Sequence, residues 1–129
     1  GVQTCALPIS VLYVKERVQF GKRISQFQNC QFELADMQAS TDAARLLVYR
    51  AACAKDNHEP FSHLAAMAKL VASEVASDVT RRAVQLFGGY GYCREYPVER
   101  MMRDAKITEI YEGTSEVMKM VISGWMGVK

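Results

Sequence analysis

The stretch "SHLAAMAKLVASEVASDVTRRAVQLF", residues 62–87, decides how the rest of the chain is read. Leu64, Met67, Val71, Val75, Val79, Ala83 and Leu86 step by three and four, which keeps their side chains on one side of an α-helix. Ala65, Ala66, Ala68, Ala72 and Ala76 favour helix and let a neighbouring helix axis approach closely. Ser62 or a neighbour is placed to cap the start. The following "GGYGY", residues 88–92, stops the helix, with Gly88 or Gly89 taking the left-handed conformation of a helix end.

Working outward, Leu34, Met37, Thr41, Ala44, Val48 and Ala51 repeat the same spacing between Phe32 and Lys55. The polar "KDNHEPFS", residues 55–62, joins the two runs, so they form an antiparallel helix pair. A shorter helical piece, Val98 to Asp104, follows Pro97. A last helix begins near Thr114, with Val117, Met118, Val121, Ile122 and Trp125 as its apolar face. At the other end the helical pattern starts only around Val11. "GVQTCALPIS", residues 1–10, has neither helical nor strand period. Those ten residues are left unassigned and resemble adapter read-through joined to a truncated gene, with residues 11–129 as the domain. The expectation is an all-α, antiparallel four-helix-bundle-like architecture of three to four main helices.

The 129 residues fit one domain, and half of them are hydrophobic. A net charge of +2 with both signs interspersed lacks the basic footprint of a nucleic-acid binder. No apolar run approaches the ~20 residues of a membrane span. Cys5, Cys30, Cys53 and Cys93 form no C-x-x-C pair, so no metal site is expected, only reduced, partly buried thiols. His58 and His63 flank Pro60 and read as loop or helix-end residues.

Chemistry concentrates in "ITEIYEGTSEVMKMVI", residues 107–122. Gly113 lets a ligand approach the backbone, and the helix start beyond it offers unpaired N–H groups that suit a phosphate or carbonyl oxygen. Beside that end, Glu112 can act as a general base where apolar surface disfavours its charged form. The bland alternative is an acidic residue near a helix dipole, worth about 0.3–1 kcal/mol. "ERVQFGKR", residues 16–23, brings Arg17 close to Gly21, either as a phosphate fork or as a solvated helix end with a glycine stop. "QLFGGYGY", residues 85–92, either brings backbone near a ligand or simply caps a helix. The methionines at 101, 102, 118, 120 and 126 read as core filler, and "ERMMRDAK", residues 99–106, as a solvated face.

The segments "YVKERVQFGKRISQFQ" (13–28) and "AVQLFGGYGYCREYPVERMMRDAKITEIYEGTSE" (83–116), in this order, resemble the acyl-CoA dehydrogenase family. The R-x-x-F-G, Q-x-x-G-G-x-G-Y and I-Y-E-G-T-S-E motifs together are much more specific than any one alone. The resemblance runs from about Tyr13 to the end and corresponds to the C-terminal helical domain, the last third of a family member. It implies that Glu112 is the base removing the α-proton of an acyl-CoA thioester while the β-hydrogen leaves as hydride to flavin N5, giving a trans-2-enoyl-CoA. It implies that Gly113 and Tyr111 lie beside the substrate and that the Glu112 N–H polarises the thioester carbonyl. It assigns Arg17, Gln28 and the segment Gln85, Leu86, Phe87, Gly88 and Gly89 to the FAD of a neighbouring subunit, Thr114, Ser115 and Glu116 to the subunit's own FAD, and Phe20 to FAD binding. "RDAKITEIYEGTSEV", residues 103–117, most resembles bacterial short-chain, butyryl-type members. The implied setting is the bacterial cytoplasm, as a homotetrameric dimer of dimers passing electrons to an electron-transferring flavoprotein. The alternatives are an inactive helical oligomerisation module and an acyl-CoA oxidase-like relative.

Overall fold

A computed structural model describes residues 1–128. Five α-helices make up most of it: α1 (Val2–Glu16), α2 (Gln28–Asp56), α3 (Ser62–Phe87), α4 (Val98–Lys106) and α5 (Ser115–Trp125). The all-α expectation therefore holds, and α3 matches the range read from its periodicity. Between α1 and α2 the chain forms a two-stranded hairpin, β1 (Val18–Gln19) with β2 (Lys22–Arg23), which the sequence did not announce. Phe20 and Gly21 both take positive φ, 54° and 78°, the requirement of a two-residue hairpin turn whose twist matches its strands. Gly21 is thus a turn residue and not a helix stop; α1 ends before Arg17.

α3 is the hub, packed by α2, α1, α4 and α5. Its buried residues are Leu64, Ala66, Ala68, Ser73, Ala76, Val79, Thr80, Ala83 and Phe87. Met67, Val71, Val75 and Leu86 of the expected stripe are only half-buried. Small residues carry the close contacts on several sides, which a single-stripe reading cannot register. The main core joins Ala6 and Leu7 of α1, Met37 of α2, Val79, Ala83 and Phe87 of α3, and Val98 of α4. A second cluster, Ala51, Ala54, Leu64 and Ala68, closes the α2–α3 pair near its turn. Arg82 of α3 ties the pair on its flank by reaching Glu33 of α2 at 3.0 Å, while Asp78 of its own helix holds it at 2.7 Å.

Several local readings need correction. α1 starts at Val2, not Val11, although Pro8 lies inside it and removes a helix donor. Burial of Ala6 and Leu7 against the hub outweighs that local cost, so no structural break falls at residue 11. Neither Ser62 nor a neighbouring side chain caps α3; Phe61 holds that place without a side-chain bond. Gly88 has φ 61° but ψ −141°, a glycine-only conformation outside the left-handed helical region. Gly91 is there for space, since a Cβ would come within 2.5 Å of the Val84 carbonyl oxygen. Val48, Val117, Val121 and Trp125, expected to be buried, are exposed. Cys5, Cys53 and Cys93 are exposed free thiols, and only Cys30 is half-buried. No helix is long and apolar enough to cross a membrane, among the described residues.

Candidate functional site

The residues singled out from sequence fall into two groups at different levels of α3. The first surrounds its C-terminal end. Tyr13 from α1, Arg17 just beyond its end, Gln19 from the hairpin, the run Gln85 to Tyr90 and Cys93 line a groove of about 500 Å³. Phe87 forms its buried base. The Tyr13 ring stacks on Phe87 with centroids 3.8 Å apart, and its hydroxyl donates to the Phe87 carbonyl at 3.3 Å. Burial pushes the Tyr13 phenol above its ordinary value, against the opposing charge of Arg17. The Arg17 guanidinium lies 5.0 Å from the centroid of the Tyr90 ring, and among the described residues no carboxylate pairs with it. An unpaired guanidinium, an amide side chain and a glycine backbone free of side chains suit the diphosphate and adenosine parts of a dinucleotide such as FAD. The residues present therefore fit that group.

Two residues of this set stand apart. Phe20 is 91% exposed at the hairpin tip, edge-on to Phe27, and belongs to a neighbouring groove shared with Gln85 and Leu86. Gln28 is exposed on the first turn of α2 and lines neither groove.

The second group lies where α5 begins. After α4 the chain makes a short turn of helix, Ile107–Glu109, and the N–H groups of Ile110 and Tyr111 both donate to the Ile107 carbonyl. Glu112 and Gly113 then take positive φ, 56° and 98°. Two successive residues of this kind reverse the chain into Thr114, which caps α5 by accepting the Val117 N–H at 3.4 Å. The N–H groups of Glu112 and Gly113 donate to no protein acceptor among the described residues. Gly113 cannot be replaced freely: a Cβ would come within 2.8 Å of the Met118 methyl. Ser115 is buried, with its hydroxyl unpartnered. The Glu116 carboxyl is held below its ordinary value by a bond to its own backbone N–H and by the Thr114 hydroxyl.

Glu112 and Tyr111 border an open groove of about 560 Å³ whose small residues Ala72, Ser73 and Ala76 come from α3. Thr108 and Lys69 also line it. Lys69 donates to the Gly113 carbonyl at 2.5 Å, a contact that the sequence reading missed. Its only sequence signal was a lone cation inside the apolar run "AAMAKLVAS" of residues 65–73. From Ala72 to Phe87 the helix rises roughly 22 Å, so the two groups are separate places on this chain. No cluster of metal-ligating side chains occurs among the described residues.

The family model for the acyl-CoA dehydrogenase C-terminal domain matches residues 1–127. A short-chain-specific acyl-CoA dehydrogenase of Megasphaera elsdenii is 59% identical over 124 residues, covering 96% of this chain and 32% of that protein. The solved butyryl-CoA dehydrogenase of Megasphaera elsdenii matches with a TM-score of 0.95 and 58% identity, covering 97% of this chain and 33% of its own. The CarC subunit of the caffeyl-CoA reductase–Etf complex of Acetobacterium woodii is 52% identical over 126 residues, 98% of this chain and 33% of that subunit. The chain spans about a third of the length of these relatives. Sequence and helix arrangement agree: this chain belongs to the acyl-CoA dehydrogenase family, in its C-terminal domain.

Proposed function

We propose that this chain supplies the proton-abstracting base and part of the FAD site of a short-chain acyl-CoA dehydrogenase. The observation that carries the reading is the 111–114 turn. It holds a carboxylate over a groove floored by small residues and leaves two N–H groups without protein acceptors beside it. A thioester with its carbonyl oxygen on the Glu112 N–H would have its α-carbon near the Glu112 carboxylate. Those N–H groups stabilise the negative charge that develops on the oxygen, and the carboxylate accepts the α-proton. FAD held at this site would supply the acceptor for the β-hydrogen as hydride. Arg17 and the Gln85–Gly89 segment hold the diphosphate and adenosine side of an FAD belonging to a second subunit, with Phe20 and Gln28 at the margin of that contact. Thr114, Ser115 and Glu116 hold the subunit's own FAD at the start of α5.

Separation of the two groups along α3 supports a homo-oligomer, a dimer of dimers, in which each site draws on two chains. Butyryl-type substrate preference is supported by the Megasphaera relatives. An electron-transferring flavoprotein as partner is supported by the Acetobacterium relative, a subunit of a complex with Etf. The bacterial relatives also support a cytoplasmic setting. By itself the 129-residue chain is proposed to be inactive, because each of its two grooves is open and holds only part of the residue set.

The test is a chimera in which this chain replaces the corresponding third of the Megasphaera butyryl-CoA dehydrogenase. The expected product is a yellow protein with stoichiometric FAD that oxidises butyryl-CoA with an artificial electron acceptor. A folded, FAD-loaded chimera with no butyryl-CoA turnover would overturn the proposal. The same relative that names a reductase motivates a second reading, net reduction of an enoyl-CoA. Crotonyl-CoA reduction outpacing butyryl-CoA oxidation in the chimera would favour it.

A further inference from the structure

We propose that Lys69 is a positioning residue for Glu112, an inference that rests on the reading of Glu112 as the base. Lys69 lies on α3, half-buried, and its ammonium donates to the Gly113 carbonyl across 44 residues of sequence. Among the described residues no carboxylate lies within ion-pair distance of it. A half-buried cation is costly unless its donors are satisfied, and here a backbone carbonyl satisfies one of them. That carbonyl belongs to the turn that most needs an external hold. A non-glycine residue at positive φ costs about 1–2 kcal/mol, and Glu112 at 56° precedes Gly113 at 98°. Three side-chain hydrogen bonds join distant segments among the described residues: Tyr13 to Phe87, Arg82 to Glu33, and Lys69 to Gly113. Only the last reaches the 111–114 turn. The bond fixes the Gly113–Thr114 peptide, one residue beyond Glu112, against the rigid hub helix. The direction of the carboxylate and of the Glu112 N–H is thereby set by α3 instead of by a freely moving loop.

Two independent measurements test this. The first uses the chimera, unchanged and with Lys69→Met, Lys69→Arg or Glu112→Gln. Misplacing a reacting group by about 1 Å can cost about 100-fold in rate, so Lys69→Met is expected to lower kcat by about 10- to 100-fold. FAD content should be retained and KM for butyryl-CoA should stay within about twofold, with Lys69→Arg recovering most of the loss because it can still donate to the carbonyl. A kcat within about twofold of the parent, or a raised KM at unchanged kcat, would overturn the proposal; the latter would make Lys69 a ligand contact. Turnover retained in Glu112→Gln would instead bring down the reading of Glu112 itself. The second measurement is amide hydrogen exchange on the 129-residue chain, which needs neither FAD nor activity. Lys69→Met should speed exchange at residues 112–118 by about tenfold or more while amides in the α2–α3 pair keep their rates. Equal exchange at 112–118 in both proteins would contradict it.

Discussion

At position 113 a glycine does two jobs, and only one was legible in the sequence. Its lack of a side chain beside a helix start suggested room for a ligand. The structure adds a φ of 98° and a Met118 methyl where a Cβ would stand. Gly113→Ala is therefore expected to destabilise the domain by about 1–3 kcal/mol, combining backbone strain with overpacking. Urea unfolding should show the midpoint falling with the slope unchanged, and an unshifted midpoint would contradict this. The motif singled out Glu112, yet its positive φ was not foreseeable, because a glutamate gives no sign of a left-handed backbone. Lys69 escaped notice for a related reason. One cation in a helix rich in alanine reads as an exposed position, and its partner is a backbone atom that no side-chain pattern encodes.

Helices were legible in proportion to their periodicity. α3 was readable end to end, and α2 to within four residues at its start. α1 was missed over residues 2–10 because Pro8 and an irregular apolar pattern hide a segment held by tertiary packing. The hairpin before α2 was missed because two-residue strands carry no alternation. The segment from the Ile107–Glu109 turn to the first turn of α5 makes a pH-dependent element. Glu116 is held low by its own backbone N–H and Thr114, and Glu109 by its bond to Lys106 at 2.6 Å. Both folded values are depressed, so the stability they contribute is complete above the unfolded glutamate value and lost as pH falls through the folded one. The denaturation midpoint should therefore drop on the acid side of the carboxylate range. That drop should shrink in the double variant Glu109→Gln, Glu116→Gln; an identical acid profile in both proteins would refute it.

Over the whole molecule, the fold class, the helix pair and the order of the motifs were all readable, whereas which faces are covered was not. Leu46 and Tyr49 on α2 and Met120 and Trp125 on α5 are more than half exposed, and of these the spacing had placed only Trp125 on a buried face. So much apolar surface on a chain of 14.5 kDa marks interaction faces. Sedimentation velocity should accordingly show the 129-residue chain associating to a dimer or larger species at micromolar concentration. A strict monomer across that range would count against the proposal that an FAD site spans two subunits. The most direct test of the account concerns one carboxylate. Stopped-flow bleaching of the flavin by butyryl-CoA should be compared between the chimera and its Glu112→Gln form, at equal FAD content and after confirming that both bind the substrate. Loss of the base should slow bleaching by about a thousandfold or more. Bleaching within about tenfold of the parent would show that another group takes the proton.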